Sequence, residues 1–251
     1  MVDAVLQTVQ LTKRFGGLNA VDSVDFELKQ GELVAVIGPN GAGKTTFINL
    51  LAGAIPPDSG EVLYCGARIS SKPVHTRVAA GITRSFQIAS IFPDLKVLEN
   101  VVLSAQAHAG HSFRFWKRVD DEMELQRLAA DWIRRLGLQE HAHRPAWSIS
   151  HGEKRLLEIA MALATNPRVL LLDEPMAGLG IEEARNMISF ISTLKGDYTI
   201  LLVEHDMDAV FALSDRIVVL ASGAVVTSGT PDQVRADPRV RRAYLGDEED
   251  A

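Results

Sequence analysis

Two short stretches of this chain carry residue types and spacings suited to phosphate chemistry. Residues 38–46 read Gly-Pro-Asn-Gly-Ala-Gly-Lys-Thr-Thr, a glycine, four free positions and then Gly-Lys-Thr, which is the pattern of a phosphate-binding loop. Gly38, Gly41 and Gly43 let the backbone turn tightly enough for amide hydrogens to converge on a phosphate. A helix opening near Gly43 adds the positive end of its dipole. Lys44 can reach β- and γ-phosphates, and the Thr45 hydroxyl can complete a magnesium shell. Asn40, Ala42 and Thr46 supply the remaining candidate contacts of the loop. The second stretch, residues 169–174, reads Val-Leu-Leu-Leu-Asp-Glu. There Asp173 suits magnesium, directly or through water, and Glu174 suits polarisation of an attacking water. The two stretches together predict a nucleoside triphosphate that is bound and hydrolysed.

Both need a scaffold, and the sequence supplies one. Residues 33–37 form an apolar run of strand length before the loop, and Phe47, Ile48, Leu50 and Leu51 follow it as in a buried helix. Strand-like stretches at 5–11, 21–28 and 61–64, with a possible partner at 67–69 across a Cys65-Gly66 turn, predict a small antiparallel layer. Buried-strand runs at 169–172, 199–203 and 217–220 are separated by helical stretches. That alternation predicts a parallel sheet covered on both faces. From about Leu95 to Met161 the β signal gives way to helical patterns such as residues 121–136. The expected organisation is one α/β domain over 1–251. Its core spans about 1–94 and 165–230, a helical subdomain about 95–164, and C-terminal helices with an acidic tail fill 231–251.

Composition narrows the classes. The net charge is −6, which offers no global basic field for nucleic acid. No run approaches the roughly 18 apolar residues that cross a bilayer, and no signal peptide is expected, so work at a membrane would need another subunit. Cys65 is the single cysteine, which excludes an internal disulfide and fits a reducing compartment. His141 and His143 lack the companions of a metal set and read as a surface pair.

A third motif brings a family into view. Residues 149–153, Ile-Ser-His-Gly-Glu, stand before a helix that runs from 154 to 164, ahead of the Asp-Glu-Pro strand. This resembles the signature motif of the ABC ATPases, with 38–46 and 169–174 as their Walker A and Walker B motifs. The resemblance implies a P-loop NTPase cassette with a RecA-like core, binding ATP and Mg2+. It implies that Ser150 and Gly152 face the γ-phosphate held by a second ATPase subunit. Gln87 resembles the Q-loop glutamine that senses magnesium and the attacking water, and His205 the switch histidine on the γ-phosphate. Phe15 occupies the place of the aromatic that stacks on adenine, a contact chemically suited to Phe, with Val21 lining the same pocket. Three departures stand out: His151 where glycine is common, Glu153 where glutamine is common, and a loop 175–180, Pro-Met-Ala-Gly-Leu-Gly, without the usual aspartate.

The resemblance covers essentially the whole chain. Residues 13–18, 84–87, 151–159, 176–179 and 242–246 resemble the prokaryotic branched-chain amino acid uptake ATPases, a branch that includes importers of urea and short amides. It implies paired cassettes beneath integral-membrane permease subunits at the cytoplasmic face, served by a solute-binding protein. Residues 88–97, with Ile88, Ile91 and Phe92, form the expected permease dock. Residues 113–118, Phe-Arg-Phe-Trp-Lys-Arg, read as loop and subdomain packing. A non-transport ABC ATPase and an exporter are the competing functional readings.

Overall fold

The computed structural model describes residues 4–85, 91–108 and 119–245. Two sheets face each other. The first is antiparallel: β1 (Ala4–Phe15), β2 (Leu18–Lys29), β4 (Ser59–Tyr64) and β5 (Ala67–Arg68), in the order β2-β1-β4-β5. The second is built from β3 (Leu33–Ile37), β6 (Ile82–Arg84), β7 (Val169–Asp173), β8 (Thr199–Val203), β9 (Arg216–Ala221) and β10 (Ala224–Gly229). Its order is β10-β9-β3-β8-β7-β6, parallel except for β10 at one edge. The expected parallel sheet is therefore mixed. Strands β6 and β10 give weak sequence signals, the first because it has three residues and the second because its side chains are mostly open to solvent.

Side-chain alternation along the central strands explains the layering. Val34, Val36, Val169 and Leu171 point into the core shared with the antiparallel layer. Leu33, Leu170 and Leu172 point the other way. That other face is covered by α3 (Val97–His108), α4 (Val119–Arg135), α5 (His151–Ala164) and α6 (Ile181–Ser192). A third cluster joins Ala35 and Ile37 to α7 (Met207–Leu213) and α8 (Pro231–Ala236). The C-terminal helix α9 (Pro238–Leu245) closes the described chain.

Helix α1 (Lys44–Ala52) lies between the two sheets, with Phe47, Ile48, Leu50 and Leu51 all buried. The Phe47 ring meets Phe26 edge-on at 5.4 Å. The helix end is fixed by a residue of α2 (Val74–Ala80): Arg77, 1 % exposed, donates to the carbonyls of Leu50 and Leu51 at 2.7 Å. It also donates to Lys72, Ile69 and Ser70. A cation suits the negative end of a helix, though burial pushes this guanidinium down to about 10. Arg77→Met strands several buried carbonyls at once and should cost about 3 kcal/mol of stability, read from urea unfolding midpoints.

The Cys65-Gly66 turn is present, with both residues at positive φ joining β4 to β5. The acidic residues 247–250 and residues 113–118 lie outside the described residues.

Candidate nucleotide site

Strand register puts the candidate residues at one edge. Val203, last in β8, is aligned with Val36 on one side and with Asp173 on the other. The loop after β3, the acids after β7 and His205 after β8 therefore leave the sheet at one level. This is the carboxyl edge of a parallel sheet, where open α/β folds bind ligands.

The loop at 38–43 is held by its neighbours as well as by its own sequence. Gly43, at φ +98°, caps α1, and a Cβ there would stand 2.1 Å from the Ala20 carbonyl of β2. Gly41, also at positive φ, faces open space, so only its conformation calls for glycine. The turn between β9 and β10 pins the loop from the other side, through Gly223 N–H on the Ala42 carbonyl and Asp22 N–H on the Gly223 carbonyl. The first turn of α1 has neither a side-chain cap nor an acid, which leaves its amides to an anion. Thr45 and Asn40 are exposed and Thr46 half-buried.

Lys44 is buried, and its ammonium donates to the Gly38 and Pro39 carbonyls at 2.6 and 3.0 Å. Burial holds it below its usual pKa against the opposing pull of Glu174 and Asp173. The lysine of the loop thus feels both acids. Asp173 is buried at the end of β7; its Oδ2 accepts from Arg84 at 2.5 Å, while Oδ1 is buried without a partner among the described residues. Arg84 also donates to Asn49 on α1 at 2.5 Å. Sequence reading named Arg84 as part of a motif but missed this pairing, because its partners lie 35 and 89 residues away. Glu174 is half-buried at φ +47°, its N–H on the Val203 carbonyl. His205 is exposed beside the buried Glu204.

The third motif forms a helix start. Ser150 caps α5 in a capping box: its hydroxyl accepts from Glu153 N–H, and the Glu153 carboxylate accepts from Ser150 N–H at 2.7 Å. Glutamate and glutamine close such a box equally well, which accounts for Glu153. Burial opposes the charge of Glu153, but the bonds from Ser150 and the nearby His141 and Arg144 outweigh it and hold the carboxyl below its usual range. His141 is more than a surface residue, since its Nε2 lies 2.7 Å from Glu153. Gly152 is tight against α6, where an added Cβ would lie 2.5 Å from a Glu183 carboxylate oxygen. His151 lies against Gly178, where a Cβ would stand 3.1 Å from its ring.

Phe15 is 52 % exposed at the tip of the β1–β2 hairpin, with the Lys13 ammonium 5.7 Å from its ring centre. Val21 is instead buried among core residues below the antiparallel layer. Gln87 and Ile88 lie outside the described residues. Of the expected dock, Ile91 and Val97 are buried, against the expectation of a surface Ile91, because Ile91 joins the helical cluster. Phe92 stays half exposed, and Trp147, whose N–H reaches the Pro93 carbonyl, is more exposed still.

The profile of the ABC transporter family matches residues 21–177. The chain belongs to this family. It is a P-loop cassette of α/β fold that binds ATP and hydrolyses it for transport. A second profile, for branched-chain amino acid ATP-binding cassette transporters, matches residues 224–250. The high-affinity branched-chain amino acid transport ATP-binding protein LivG of Escherichia coli K12 is 41 % identical, over 98 % of this cassette and 100 % of its own length. BraF of Pseudomonas aeruginosa, described in the same words, is 38 % identical over 97 % and 98 %. An ATP-binding cassette of an ABC transporter, solved in its ADP conformation, superposes with a TM-score of 0.85 at 29 % identity, covering 98 % of this chain and 100 % of that one. A dimeric cassette bound to ADP and Pi superposes at 0.76 with 25 % identity, covering 90 % and 98 %. Among the described residues, no helix is long and apolar enough to cross a membrane.

Proposed function

We propose that this cassette powers an importer of branched-chain or related amino acids, working in pairs beneath permease subunits at the cytoplasmic face of the membrane. The observation that carries the catalytic part is the common level of Val36, Val203 and Asp173, which gathers the three chemical segments at one edge. In this reading Lys44 and the amides of residues 40–46 hold the phosphates, and Phe15 stacks on the base. Glu174 polarises the attacking water, Gln87 helps to place it, and His205 contacts the γ-phosphate. Ser150 and Gly152 of a second subunit complete the site.

Mg2+ fits the residues present. The buried Oδ1 of Asp173, unpartnered among the described residues, and the exposed hydroxyl of Thr45 are the hard oxygen donors it takes, with Gln87 as a third. When bound it neutralises charge on the phosphates. Asp173 is oriented for that role by Arg84, which occupies its other oxygen.

The amino acid reading rests on the match over residues 224–250 and on the two relatives above. The exposed Phe92 and Trp147 support a permease contact near residues 88–97. The test is ATP-driven uptake into vesicles carrying the cassette, the permease that co-purifies with it and its solute-binding protein. Leucine, isoleucine or valine should accumulate. Uptake of urea or short amides without leucine would replace the proposed solute, and export would overturn the importer.

A further inference from the structure

Glu204 follows the last residue of β8, and its side chain is fully buried. Every hydrogen bond it makes in the described structure comes from a backbone N–H. One oxygen accepts from Met176 at 2.9 Å, and the other from His205 at 2.9 Å and Asp206 at 3.3 Å. Its only ionic neighbour among the described residues is the His205 ring, at 3.7 Å. A buried carboxylate is costly to desolvate, so these amide donors are what make it tolerable.

The donors belong to two different strand exits. Met176 lies two residues beyond Glu174, and His205 and Asp206 follow β8. Glu174 N–H is itself bonded to the Val203 carbonyl at 2.8 Å. The segment that carries Glu174 is therefore tied to β8 on both sides, once by the sheet ladder and once by Glu204. Glu174 sits at φ +47°, a conformation that non-glycine residues hold only where the surroundings over-determine it. The Glu204 carboxylate supplies part of that constraint, and the same carboxylate holds the segment bearing His205.

We propose that Glu204 is a positioning residue for hydrolysis, fixing the backbone that presents Glu174 against the backbone that presents His205. The inference rests on the reading of Glu174 as the group that polarises water. Glutamine does not substitute for it. Both carboxylate oxygens face N–H donors, and an amide in either orientation turns its own NH2 toward one of them.

Glu204→Gln in the full chain should lower kcat for ATP by roughly 100-fold, as misplacement of a catalytic group does, with KM for ATP within about twofold of wild type. A residue that sets Glu174 against His205 has only the His205 side left to disturb once Glu174 is gone. Added to Glu174→Gln, the change should therefore cost far less than its roughly 100-fold effect alone, about tenfold or less further. A normal Glu204→Gln rate beside a slow Glu174→Gln overturns this inference alone. So does a loss that multiplies fully in the double variant, or one matched by the fraction of protein unable to bind ATP. A normal Glu174→Gln rate overturns the reading of Glu174 and this inference with it. Where Glu204→Gln does not fold, Glu204→Asp, which is acceptor-only but one methylene short, should show the same kcat-against-KM split and the same failure to multiply.

Discussion

Glu174→Gln is expected to slow ATP hydrolysis by roughly 10²- to 10⁴-fold while leaving ATP binding intact, since general-base contributions fall in that range. Two acids stand side by side at the end of β7, and the structure distinguishes them. Asp173 is buried, and one of its oxygens is engaged by Arg84 at 2.5 Å. A carboxylate held in that way suits a fixed ligand better than a proton acceptor. Glu174 is half-buried, makes no ion pair among the described residues, and exerts the larger of the two acidic pulls on Lys44. Its charge is felt at Lys44 of the phosphate loop, and among the described residues no hydrogen bond or ion pair engages its oxygens. Glutamine keeps the length and shape of the side chain, and it inherits the same backbone at φ +47° without extra strain. It gives up only the basicity. Steady-state phosphate release measures the loss, and an ATP-bound dimer should become easier to trap by size-exclusion chromatography. A variant that hydrolyses ATP at the normal rate would remove Glu174 from the role of base.

The parts of this site that could be read from sequence are those whose cause is local. The loop at 38–46 is recognisable because its glycines, lysine and threonine sit at fixed offsets between an apolar run and an apolar helix. The strands ending at Ile37, Asp173 and Val203 are legible as unbroken runs of buried residues. What the sequence conceals is set by distant partners. Gly43 is demanded partly by the Ala20 carbonyl, and the burial of Glu204 is fixed by an amide 28 residues earlier. Arg84 looks like an ordinary basic residue until β6 pairs with β7 and brings it to Asp173. The neighbours of Ile91 in sequence suggest an exposed segment. Asn100, fully buried, instead bonds the backbone at Phe92 and folds this stretch against the helices. Val21, which the resemblance puts beside Phe15, is buried in the core below the antiparallel layer, next to a bulge in the register of β1 with β2.

Lys44→Ala should fail at an earlier step than Glu174→Gln, in binding itself. In the proposed role Lys44 supplies a charge-assisted contact of the kind worth roughly 1.5–3 kcal/mol, so its loss should raise the Kd for ATP by about 10- to 150-fold. Titration with a fluorescent ATP analogue reads this directly. Lys44 is 8 % exposed and its ammonium is already bonded to the Gly38 and Pro39 carbonyls, so part of any defect could come from a disturbed loop. Urea unfolding separates the two effects, because the loop is also held from outside by Gly223 and by the β2 backbone. An unchanged unfolding midpoint with weakened binding assigns the loss to the missing charge. Unchanged affinity would overturn the reading of residues 38–46 as a phosphate site. The contrast between the variants is the stronger test: Glu174→Gln should bind ATP and stall, whereas Lys44→Ala should be only partly occupied at nucleotide concentrations that just saturate the wild type.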